Sequence, residues 1–79
     1  MKVTYDPVYN IAYLQMRDKT EEVESIKISD EMTIDISPDG KVFGIELLNA
    51  NDQLGLSQET PFVFINEKNK EKKELSLNS

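Results

Sequence analysis

Hydrolytic or metal chemistry needs converging carboxylates, imidazoles or thiolates, and this 79-residue chain has only the first kind. It contains no histidine, so the commonest metal ligand and the commonest acid–base catalyst are missing. It contains no cysteine, which removes thiolate metal sites and disulfides together. The remaining acids stand singly at Asp6, Asp18, Asp30, Asp35, Asp39, Glu46 and Asp52. Asp35 and Glu46 lie on the two arms of a predicted hairpin, close enough in sequence to approach across strands. Hard cations prefer such oxygen ligands. No further acids follow at ligand spacing, however, and the pair reads as two solvated acids on an outer sheet face. Asp39-Gly40 resembles half of a calcium loop, but turn chemistry accounts for it.

The hydroxyls offer no more. Ser25, Ser29, Ser37, Ser57, Ser76 and Ser79 have no imidazole to activate them and no glycine-flanked nucleophile motif. The three glycines form no phosphate cradle. Tyr5, Tyr9 and Tyr13 recur every fourth residue, a spacing that on a helix would make a base-stacking stripe. Pro7 interrupts that helix, so the tyrosines are read as residues at the edge of the core. The sequence predicts no enzyme, no catalytic residue, no metal and no cofactor.

Charge and length narrow the partners. The formal charge is −6, from 15 acidic and 9 basic residues. This balance opposes direct nucleic-acid binding and anionic lipid, and favours solubility. The longest apolar run, residues 62–65, is far short of the about 20 residues a membrane span needs. The first residues have no signal-peptide core, so the expected location is cytoplasmic with no membrane attachment. A single domain of this length buries only about 60% of its unfolded surface. With no disulfide or metal to staple it, self-association into a homo-oligomer is the expected source of extra stability.

The elements that must position these side chains are mostly strands. Residues 32–48 hold two β-rich runs around Ser37-Pro38-Asp39-Gly40, where Pro38 pre-sets the turn and Gly40 can take φ > 0. A type I turn with a glycine bulge, and hence a β-hairpin, is predicted there. Upstream, residues 2–5 form a strand ended by Asp6-Pro7. Residues 11–16 form a second, with Ala12, Leu14 and Met16 on one face and Ile11, Tyr13 and Gln15 on the other; a short helix over residues 8–16 is the competing reading. Residues 22–29 alternate with one apolar face, as an edge strand does. After Leu48, Asn49 or Asn51 caps a single helical turn that Gly55 ends. The fold class is therefore mainly β: a small antiparallel meander of about four to six strands with a short helical turn after the central hairpin. Its organisation is a β domain over residues 1–56, an additional strand or interface segment over 57–66, and a charged, flexible tail over 67–79.

The central hairpin carries a conflict. With Gly40 as the bulge, Ile36 pairs with Val42 and Ile34 with Gly44. If only Pro38 and Asp39 lie between the paired positions, Ile34 pairs with Phe43 and Met32 with Ile45, which collects the apolar residues on one face. Turn chemistry favours the first register and patterning the second. Gly44 is the place for a second bulge that reconciles them. The alternative is a hairpin apolar on both faces, one covered by a partner.

Met1-Lys2-Val3-Thr4-Tyr5-Asp6, Ala12-Tyr13-Leu14, the hairpin string Val42-Phe43-Gly44-Ile45-Glu46-Leu47-Leu48 and Asn49-Ala50 together resemble the bacterial family called domain of unknown function 2283. The resemblance spans roughly residues 1–54, and Gly-Ile-Glu is its most specific part. It implies a small antiparallel sheet and no established activity. The family usually carries acids shortly after Tyr-Asp, where this chain has Val8 and Asn10. The extension over residues 56–79 falls outside the family pattern.

Three functions follow in order of preference. The first is a non-enzymatic interaction module that self-associates or binds a partner protein. Its contacts are Phe62, Val63, Phe64 and Ile65, the most apolar run, with Tyr5, Tyr13 and Glu46 on the sheet. The second is an acidic, antitoxin-like or phage-type inhibitor of a nucleic-acid-acting enzyme, which the resemblance implies because some members stand beside toxin-like genes. The third is a small-ligand or metal-dependent enzyme built on Asp6, Tyr13, Asp35 and Glu46.

Overall fold

The structure, a computed structural model, describes residues 1–18, 22–56 and 61–76. Strands β1 (Lys2–Asp6) and β2 (Ile11–Gln15) form one hairpin. Asp6 sets its turn by accepting hydrogen bonds from the Val8 and Tyr9 amides at 2.9 and 3.4 Å, the local competition with strand pairing that aspartate favours. Strands β3 (Glu24–Ser29), β4 (Met32–Ile36) and β5 (Val42–Leu48) follow as a three-stranded meander. Pairing of β5 with β2 joins the two pieces into an antiparallel sheet of order β1-β2-β5-β4-β3. β3 is thus an edge strand, as its single apolar face predicts, and the register slips between Lys27 and Ser29.

The central hairpin resolves its conflict at Gly44. Near the turn the bulge register holds: the Ser37 amide donates to the Lys41 carbonyl at 2.8 Å, Gly40 has φ +84°, and Ile36 faces Val42. One residue further on, Asp35 faces Gly44, so Phe43 is an extra residue on β5. From there Ile34 faces Ile45 and Met32 faces Leu47. Neither uniform register has these pairs, yet the result is the one patterning demands. A one-residue slip returns Met32, Ile34, Ile45 and Leu47 to one face, where they join Ala12 and Leu14 across β2.

Helix α1 (Ala50–Gln53) covers part of that face. Ala12 and Ala50 are fully buried, Leu47 nearly so, and Leu14, Met32, Ile45 and Leu54 pack around them. A four-residue helix exists only by such docking. Asn49 stands at its N-cap, as predicted, but in the left-handed conformation and without a capping hydrogen bond from its side chain. The helix is held instead from outside: the Ala50 amide donates to the Asn10 carbonyl at 3.0 Å, and the Gln53 amide side chain donates to the Glu31 and Leu48 carbonyls.

β6 (Pro61–Asn66) and β7 (Glu71–Ser76) form a separate two-stranded hairpin. The predicted additional strand is β6, while residues 57–60 lie outside the described residues. Within the stretch expected as a charged, flexible tail over 67–79, residues 71–76 pair with β6, and residues 77–79 lie outside the described residues. Asparagines overlooked inside the charge run make the turn. Asn66 Oδ1 accepts from the Lys68 amide at 3.1 Å, Asn69 Oδ1 from the Glu71 amide at 2.9 Å, and Lys70 takes φ +62°. Opposite charges two residues apart on β7 pair, Lys72 with Glu74 at 2.9 Å and Lys73 with Glu71 at 3.5 Å.

Candidate functional site

Strand alternation puts Tyr13, Ser25, Thr33, Asp35, Gly44 and Glu46 on the face opposite α1. Tyr13 faces Glu46, and Gly44 lies between Gln15 and Asp35. With no side chain at Gly44, the Tyr13 ring leans diagonally over β5, and its Oη donates to Asp35 Oδ2 at 2.7 Å. Ser25 Oγ, from the edge strand, donates to Asp35 Oδ1 at 2.6 Å. Both carboxylate oxygens of Asp35 are therefore engaged, and side chains of β2, β4 and β3 are tied in one polar row that crosses β5 at Gly44. Burial raises the Tyr13 phenol to about 12, helped by the hydrogen bond to Asp35 and by the charges of Asp35 and Glu46. Around neutral pH the phenol is protonated and serves as the hydrogen-bond donor that links β2 to β4.

Asp39 and Asp6 are also engaged locally. Asp39 accepts from Arg17 Nη2 at 2.9 Å and from the Lys41 amide at 3.1 Å, and these bonds hold its carboxyl below the usual aspartate range, the Arg17 bond most. Asp6 sets its own turn. Among the described residues, no three acids are placed to hold a metal ion.

The seven sequence-predicted contact residues fall in three places. Tyr13 and Glu46 are cross-strand neighbours on the polar face. Tyr5 is on the opposite face, beside Ala12, and its hydroxyl donates to Asn10 Oδ1 at 3.2 Å. Phe62, Val63, Phe64 and Ile65 lie on β6 and are 38 to 55% exposed. Phe62 also lines a cavity of about 50 Å³ with Met1, Val3, Leu14 and Leu54, at the β1 side of the sheet.

Two features were missed by sequence reasoning. Asn10, seen only as a departure from the family's acids, adopts φ +57° and pins α1. Its Nδ2 donates to Asn51 Oδ1 at 2.7 Å and Asn49 Oδ1 at 3.3 Å, while its Oδ1 accepts from the Asn51 amide at 2.9 Å. The three asparagines at the two turns were the available signal. The second is an open groove of ≈ 450 Å³ at the start of β3, lined by Glu22, Val23, Glu24, Ile36, Ser37, Pro38 and Gly40. Nothing in the spacing of these residues announces it.

The family model that matches this chain is described as Protein of unknown function (DUF2283) and covers residues 2–51. The match takes in all five strands of the sheet and the start of α1, and leaves out the β6–β7 hairpin. No curated protein and no solved structure matches.

Proposed function

Since the chain belongs to this family of unknown function, which supplies a sheet but no activity, we propose that it is a non-enzymatic protein-interaction module. One observation carries the reading. β6 presents four consecutive large apolar side chains, all more than a third exposed, on a hairpin of two strands. An isolated two-stranded hairpin is at best marginal in water, and its apolar faces need cover. Strand alternation puts Phe62 and Phe64 on one face and Val63 and Ile65 on the other, and exposed apolar side chains on both faces of a hairpin favour contact with another protein. The polar row on the sheet fits the same reading, because its phenol and carboxylate are consumed by each other.

The test compares the full chain with Val63→Lys/Ile65→Lys, using light scattering over a range of concentrations and affinity capture of partners. The reading expects association, with itself or with a partner, that the double substitution abolishes while the far-UV spectrum of the sheet is kept. Association untouched by the substitution, or a monomer that captures nothing through β6, refutes it.

A further inference from the structure

The groove at the start of β3 has the chemistry of a receptor for one kind of side chain. Val23, Ile36 and Pro38 give it apolar walls, and Glu22 and Glu24 bring two carboxylates. Ser37 is only 3% exposed, and its Oγ has no partner among the described residues. A buried hydroxyl without a partner is costly, so native structures normally satisfy it. Apolar walls that carry two anions at their rim suit a long aliphatic stem that ends in an ammonium group, which is a lysine side chain. Beside the groove runs the open edge of β3, where Ile26 and Ile28 are 43 and 56% exposed.

The chain itself carries the matching piece. Residues 1–56 hold eleven acidic and five basic side chains, whereas residues 61–76 hold three acidic and four basic ones. Two of those lysines, Lys68 and Lys70, lie in the turn that joins β6 to β7, at the end of the exposed apolar strand. No described residue of the chain's own β6–β7 hairpin lines the groove. Phe62 sits against Val3 and Leu14 at the β1 side, and β1 and β3 are opposite edges of the sheet. Surface area supports a second copy. The chain exposes 6097 Å², against about 4,900 Å² for a compact monomer of its 9.1 kDa mass. The excess exceeds the about 800 Å² per partner that a standard interface buries.

We propose that the groove and the open β3 edge receive the lysine-bearing tip of the β6–β7 hairpin of a second copy, the contact being made twice about a two-fold axis. This rests on the interaction-module reading and adds to it the occupant and the place. The apolar strand supplies the area and the lysine–glutamate contacts supply the register.

The experiment is sedimentation equilibrium on the full chain, with Glu22→Lys/Glu24→Lys, with Lys68→Glu/Lys70→Glu, and with all four changes in one chain. Far-UV spectra check that each exposed-charge variant keeps the fold. Wild-type protein is expected to form a dimer. Each charge reversal should weaken it about tenfold, since several rim pairs turn repulsive at once. The fourfold variant should recover to within about threefold of wild type. A wild-type chain that stays monomeric overturns the inference, and the Val63/Ile65 capture experiment then decides the module reading separately. A dimer indifferent to the reversals, or one that the fourfold change fails to rescue, overturns the place and leaves the module reading standing.

Discussion

Replacing Gly44 with alanine puts a methyl group where the Tyr13 ring already lies. A Cβ built on Gly44 falls 2.8 Å from Tyr13 Cε2 and closer still to Cζ and Oη, all inside contact distance. The ring cannot yield slightly and keep its hydrogen bond, because its hydroxyl is anchored on Asp35 beyond Gly44. Either Tyr13 swings away or β5 moves. The first route forfeits a hydrogen bond to a charged acceptor, about 1.5–3 kcal/mol, and some ring burial, for a total of about 2–4 kcal/mol. Gly44 does not occupy the left-handed region, so alanine brings no backbone strain of its own. In a strand it is intrinsically favoured over glycine by about 0.5–1 kcal/mol. The double-mutant cycle is therefore decisive. In a Tyr13→Ala background, Gly44→Ala should be neutral or slightly stabilising, with a coupling energy of about 2–5 kcal/mol. Urea unfolding followed by far-UV circular dichroism measures all four corners, at one protomer concentration because association shifts apparent stability. An equal cost of Gly44→Ala in both backgrounds refutes the reasoning.

Further outcomes follow from the same contacts. The Tyr13 phenol is raised to about 12 from 10, so the neutral form is the one the fold favours. Its contribution is complete below pH 10 and is lost as pH rises towards 12. Discounted for the ring's partial exposure, this is on the order of 1–2 kcal/mol. Unfolding midpoints between pH 9 and 12 should fall more steeply in wild type than in Tyr13→Phe, and equal slopes would count against the assignment. Asn10→Ala loses the amide bonds that hold α1 and keeps an unfavourable φ, costing about 2–3 kcal/mol. Asn10→Gly should recover the backbone share only, as thermal unfolding will show. Ser37→Ala removes a buried unpartnered hydroxyl and should leave stability unchanged or raise it by up to about 1 kcal/mol. A loss larger than that in urea titration would mean the hydroxyl is already satisfied.

The five-stranded sheet was legible because its strands carry local signals: alternation in residues 11–16 and 22–29, proline after Asp6, and a full turn signature at Pro38-Asp39-Gly40. The register was legible as a conflict, and Gly44 was named as its seat, since turn chemistry and patterning are both local properties of the hairpin. The direction of the slip was not, because it depends on β2: the Met16 amide takes the Phe43 carbonyl at 2.8 Å, and Gly44 faces Gln15. The β6–β7 hairpin was half legible. Phe62 to Ile65 announced a strand, whereas composition averaged away Asn66 and Asn69, the two residues that turn the chain back. The polar row was visible only as the isolated residues Tyr13, Asp35 and Glu46. That Tyr13 and Asp35 meet requires three strands in register and a glycine between them, which no spacing rule supplies. Nor does sequence separation hint that Asn10 holds a helix that begins forty residues later.

The slip in β3 between Lys27 and Ser29 limits what can grow from the sheet's open side. Only residues 24–27 of β3 pair with β4 in unbroken register, so the regular part of the open rim is about 13 Å long at strand spacing. A flat, longer rim would template strand after strand in an unending stack, the geometry of fibrils. A rim this short cannot hold an incoming strand by backbone bonds alone. A strand arriving there would need side-chain contacts as well, which works against repeated edge-to-edge stacking.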